Sequence, residues 1–131
     1  MMKKNKWFYT ILAILSVSTI GILYIVFFYH GFDITITNKT DQDIKNLIII
    51  DGRKTKQITI PTIDSNKQYK TKIDLKDVGE NSLTLNYQDN NKKMQKVVIF
   101  GYFEGKGKGT IDIVIKSIHQ DGALDIQVKQ K

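Results

Sequence analysis

Residues 7–38 read WFYTILAILSVSTIGILYIVFFYHGFDITITN, and within that stretch the chain changes from one kind of structure to another. Residues 7–29 run for 23 positions without a charged side chain. At ~1.5 Å rise per residue, a helix of that length crosses the ~30 Å hydrocarbon core of a bilayer. From Phe32 the apolar residues recur at every second position instead, with Phe32, Ile34 and Ile36 alternating with Asp33, Thr35 and Thr37. That period predicts a half-buried β-strand beginning almost where the span ends.

Lys3, Lys4 and Lys6 precede the apolar run, and residues 30–33 after it carry no Lys or Arg. The positive-inside bias then puts residues 1–6 in the cytoplasm as a short stub and residues 30–131 outside the membrane. Aromatic residues mark both ends of the run, Trp7, Phe8 and Tyr9 at one and Phe27, Phe28 and Tyr29 at the other, as at headgroup depth. A cleaved signal peptide has a shorter apolar region, ~7–15 residues, ending in a small-x-small site. Here the nearest such match, Ser16-Val17-Ser18, lies mid-run, so the expectation is an uncleaved signal-anchor with lipid as the partner of residues 7–29. The small residues of the run scatter around the helix and form no G-x-x-x-G, which predicts a plain anchor.

The chain contains no cysteine, which excludes both a lipidated junction and a disulfide framework. About a hundred residues outside the membrane suffice for one modest core held by packing. From His30 onward 17 positive residues face 13 negative ones, a net of +4, with lysine and aspartate interleaved as on a solvated surface. A nucleic-acid role calls for arginines, a basic stripe and aromatic platforms, so none is expected. The Lys-, Ile- and Asn-rich composition resembles that of low-GC bacterial proteins, in which the N-glycosylation pattern Asn38-Lys39-Thr40 is best read as chance.

Beyond Phe32–Ile36 the pattern continues in short strands. Residues 38–43 are a polar turn, Leu47-Ile48-Ile49-Ile50 a central strand, and Asp51-Gly52 a turn signal. Ile58 and Ile60 form a short strand closed by Pro61, which favours a sheet edge. Tyr69, Thr71, Ile73 and Leu75 alternate with Lys70, Lys72, Asp74 and Lys76; Leu83, Leu85 and Tyr87 alternate with Ser82, Thr84 and Asn86. Val97-Val98-Ile99-Phe100 reads as a second fully apolar run. Ile111, Ile113 and Ile115 face Leu124, Ile126 and Val128 across a two-residue Asp121-Gly122 hairpin turn. Seven or eight strands at this spacing, without a soluble helix, predict an all-β sandwich behind one transmembrane helix.

The succession over residues 38–50 and 58–75 is an opening strand, a polar turn, an apolar strand, then Ile60-Pro61-Thr62-Ile63 before a polar loop. It resembles small immunoglobulin-like or fibronectin-III-like envelope domains over about half of the part outside the membrane. The Cys…Trp…Cys core of true immunoglobulin domains is missing, since Trp7 belongs to the anchor. The overall plan is similar to that of small membrane-anchored immunity or accessory proteins of Gram-positive bacteria. That resemblance implies an architecture and carries over no site residue.

Catalytic chemistry finds little to work with. Ser117 and His119 share one side of a strand, but a triad needs a carboxylate behind the histidine and an oxyanion hole. Glu80 and Glu104 are the pair of glutamates from which glycoside hydrolysis would have to be assembled. One histidine near a turn and dispersed aspartates give no zinc or calcium spacing, so no metal, cofactor or enzymatic activity is expected. Residues 101–110, GYFEGKGKGT, lack the four-residue glycine spacing and the Lys-Ser/Thr of a phosphate loop.

That stretch nevertheless combines Tyr102, Phe103, Glu104, Lys106 and Lys108 on a glycine-rich connection. Binding residues concentrate on loops carried by rigid scaffolds, and exposed aromatics anchor contacts. These five residues are therefore the expected partner-binding set of a non-enzymatic module engaging a protein outside the membrane. The alternative is a lysine-rich domain that binds anionic cell-wall polymer or lipid headgroups.

Overall fold

The computed structural model describes residues 6–28, 30–76 and 79–131, without the side chains of residues 26–28. Lys3 and Lys4 of the expected stub and Tyr29 of the expected span lie outside the described residues. The rest is mostly β-structure in two sheets, preceded by one apolar helix, α1 (Lys6–Phe28). α1 is long and apolar enough to cross a membrane, and its described apolar side chains are exposed. Thr10, Ser16, Ser18 and Thr19 donate their hydroxyls to main-chain carbonyls three or four residues back. The hydroxyls in the run are thus satisfied within the helix, as a hydrocarbon environment requires.

Eight strands follow among the described residues: β1 (Gly31–Asn38), β2 (Ile48–Asp51), β3 (Gln57–Thr59), β4 (Gln68–Ile73), β5 (Glu80–Gln88), β6 (Met94–Glu104), β7 (Lys108–Ile118) and β8 (Leu124–Gln130). One four-stranded sheet has the order β4-β1-β7-β8, and the other has β3-β2-β5-β6. Every adjacent pair is antiparallel except β1 and β7, which run parallel at the centre of the first sheet. There Ile34 lies opposite Ile111 and Ile36 opposite Ile113, and all four side chains are essentially inaccessible. These isoleucines meet Leu47, Ile49, Leu83, Leu85 and Ile99 of the second sheet in one core. β-Branched side chains fit such a pleated, doubly covered surface.

The alternating segments fall where periodicity places them, with the isoleucine strand β2 interior and the short β3 at an edge. Two local expectations change. The β7–β8 connection turns through residues 120–122, with Gly122 at φ 82° and its N–H bonded to the His119 carbonyl, so the Asp-Gly pair closes a longer turn than a two-residue one. Residues 97–100 are not buried on both sides, because β6 is an edge strand and Val98 points outward. The glycine-rich stretch crosses from one sheet to the other: β6 ends at Glu104 in one and β7 starts at Lys108 in the other.

Candidate functional site

Outside α1, the large apolar side chains of the described residues are buried or half-buried except at three positions, Met94 (61% exposed), Val98 (56%) and Tyr102 (64%). All three belong to β6. They share its outward side because the inward positions Val97, Ile99 and Phe103 are taken by the core. Register shifts opposite Leu83 add residues to β6, and the extra length lets Phe100 reach inward as well. Its ring lies 4.6 Å from that of Phe32 and 5.9 Å from that of Phe103, while Phe32 and Phe103 are 5.0 Å apart.

That aromatic cluster explains the glycines. Gly107 has φ 66°, and a Cβ there would stand 2.5 Å from the Phe32 ring and 2.8 Å from Phe103. The chain therefore crosses between sheets over a phenylalanine floor that leaves no room for a side chain.

Beside Val98 and Tyr102 lies a shallow concavity of about 410 Å³, lined by Arg53, Glu80, Asn81, Ser82, Thr84 and Lys96 among others. Its rim is held by Asp51, which is buried at the end of β2. One Asp51 oxygen accepts from the Lys56 N–H at 2.6 Å; the other accepts from Asn81 Nδ2 at 3.0 Å and from the Thr55 hydroxyl at 3.1 Å. Burial alone would push this carboxyl up, but these donors outweigh it and hold it below its ordinary value. Asn81 Oδ1 in turn accepts from the main-chain N–H of Arg53 and of Ser82. Arg53 Nε donates to the Glu80 carbonyl at 2.8 Å, which lays the guanidinium along the concavity.

Glu80 and Glu104 are partners across β5 and β6. The Tyr102 hydroxyl donates to Glu104 Oε1 at 2.6 Å and lies 3.4 Å from Glu80 Oε1. The bond to Glu104 holds the phenol above its ordinary pKa, so it remains a neutral donor. The two glutamates thus share one tyrosine at an exposed strand end. Ser117 and His119 end up at the β7–β8 turn, both exposed. Asn38 is fully buried: its Nδ2 donates to the carbonyls of Gln42, Ile63 and Asp64, and its Oδ1 accepts from Thr40. A glycan on that nitrogen is incompatible with this structure.

The expected partner-binding set is therefore divided. Tyr102 and Glu104 lie on the outward side of β6, and Phe103 is in the core with 9% exposure. Lys106 and Lys108 stand exposed at the crossing between the sheets. Met94, Val98 and Arg53 were missed by the sequence reading. The alternation of Met94, Lys96 and Val98 was the available signal, hidden by the apolar run that follows it.

No protein family and no curated protein matches the sequence. Among solved structures, the NMR structure of a protein from Eubacterium rectale aligns with 17% identity over 78% of this chain and 91% of its own, at a TM-score of 0.47. That likeness is too distant to carry a functional reading.

Proposed function

We propose that this chain is a single-pass, membrane-anchored protein-binding module, with residues 1–6 cytoplasmic and the β domain outside the cell membrane. The observation that carries the proposal is that, outside α1 and among the described residues, exposed large apolar side chains are confined to one face of one edge strand, at Met94, Val98 and Tyr102. Lys96, Arg53 and Glu104 border these residues. An apolar centre with a charged and hydrogen-bonding rim is the composition of a protein contact surface. The domain itself is read as a β-sandwich of the immunoglobulin-like or fibronectin-III-like kind, a reading supported by two sheets that share one core. The lysine-flanked N-terminal side of α1 supports the orientation. An immunity protein or an accessory subunit of an envelope complex would both work by such contact, without catalysis.

A photo-crosslinking amino acid at position 98 of the full chain tests this, with one at Thr35 on the opposite sheet as the control. A discrete adduct from position 98, lost when Tyr102→Ser is added, is the expected result. Equal adducts from both faces would overturn the assignment.

A further inference from the structure

The chain leaves α1 at Phe28 and enters β1 at Gly31, which fixes one pole of the β domain against the helix end. Three residues reach at most ~10 Å, whatever their conformation. The same pole gathers distant segments through main-chain and side-chain bonds. Gly31 N–H bonds the Gly107 carbonyl at 3.0 Å, and Gly105 N–H bonds the Gly79 carbonyl at 3.0 Å. Lys56 Nζ donates to the Asp74 carbonyl at 2.8 Å, and Arg53 is tied to Glu80. The β2–β3 turn, the end of β4, the start of β5 and the β6–β7 crossing therefore form one surface at the helix end of the domain.

This surface is basic. Arg53, Lys54, Lys56, Lys76, Lys106 and Lys108 are exposed there, six against three exposed carboxylates among the described residues, Asp74, Glu80 and Glu104. Asp51 is buried and held by its three donors. Two of the three exposed acids converge on Tyr102 at the β6 edge, which leaves most of the pole to lysine. The loops at the opposite end are closer to balance, whereas the outer face of the first sheet is also rich in lysine. In the loops at the opposite end, residues 39–45, 64–67, 89–93 and 119–122, five exposed lysines meet four exposed aspartates. On the outer face of the first sheet Lys131 pairs with Asp112 at 3.4 Å.

We infer that this helix-proximal pole seats on anionic lipid headgroups of the bilayer that holds α1, through Lys54, Lys56, Lys76 and Lys106. The inference rests on reading α1 as a membrane span. The tether length is comparable to the Debye length of ~8 Å at physiological salt, so the lysines lie within reach of the surface potential. Seating sets the domain upright, because β1 runs away from this pole. The Met94–Val98–Tyr102 face then looks sideways along the membrane, toward a partner at the same surface.

The absence of cysteine permits single-cysteine labels on the full chain, at Gln57 beside Lys56 and at Asn91 at the far end. Each labelled protein is reconstituted into vesicles of phosphatidylcholine, with or without phosphatidylglycerol, carrying a quencher on the headgroups. In the anionic vesicles the Gln57 label is expected to be quenched severalfold more than the Asn91 label. The difference should fall by at least half in phosphatidylcholine alone, in ~1 M salt, and when Lys54, Lys56, Lys76 and Lys106 are changed together to Ser. Equal quenching of both labels, or quenching at Gln57 that ignores lipid charge and salt, overturns the inference. A third label at Ser16, read against a mid-bilayer quencher, separates the two readings. Without quenching there, the span fails and the inference with it; with it, a charge-insensitive pole removes the inference alone.

Discussion

At the scale of single residues, two positions hold the candidate site in place. Gly107 combines a positive φ with a Phe32 ring where a Cβ would stand. Gly107→Ala is expected to lower stability by ~1–3 kcal/mol through strain and overpacking. Gly101→Ala, with open space around it, should change stability by no more than ~0.5 kcal/mol. Urea unfolding of the two variants side by side checks the contrast. Asp51 makes a prediction about pH. Its carboxyl is held below its ordinary value of 3.8, so its contribution is complete above that pH and is lost as pH falls through the lowered value. Asp51→Asn should therefore be less stable than the unaltered protein at neutral pH, by ~1–3 kcal/mol for hydrogen bonds to a charged group. The gap should narrow as pH falls below 3.8 and close only beneath the lowered value, where the native carboxyl takes up its proton. A gap that persists into acid would place the effect in side-chain shape instead of charge.

At the scale of elements, β6 and β7 make opposite use of apolar residues. Ile113 of β7 is inaccessible and lies opposite Ile36, whereas Val98 of β6 is more than half exposed. Ile113→Asp places an unpartnered charge in the core at a cost of several kcal/mol, comparable to a domain's whole stability, and should abolish cooperative unfolding. Val98→Asp should unfold within ~0.5 kcal/mol of the unaltered protein while losing the partner contact. Circular dichroism melts of both variants decide this. The same two strands show what was legible in the sequence. Alternation of the kind seen in Ile111–Ile115 states which face is buried, so the strands and much of the core could be read directly. A continuous run such as Val97–Phe100 carries no such phase, and its outward face depends on which strand is left at the edge. Phe103 was ambiguous for a related reason: only the tertiary meeting with Phe32 and Phe100 assigns it to the core. Ile44 and Ile63 joined the core from outside any strand, through a single bridge that no periodicity announces.

At the scale of the whole molecule, the helix and the β domain constrain one another. β1 opens three residues after the last described residue of α1, so a domain whose α1 spans a bilayer would have little freedom to leave its surface. A partner of the kind proposed for β6 would then meet it close to lipid. This arrangement requires that the helix stay attached to the mature protein. The apolar run ends in bulky aromatics instead of a small-x-small junction, and its lysines lie on the N-terminal side. The intact chain should accordingly remain in the membrane fraction after carbonate washing. A tag at the C-terminus should be removed by protease added to intact cells, while a tag at the N-terminus should survive until the cells are opened. A soluble product beginning near Gly31 would show that the helix is a cleaved leader. The β domain would then diffuse away from the bilayer, and its lysine-rich pole, no longer held within a Debye length of lipid, would have to find its anionic partner in solution.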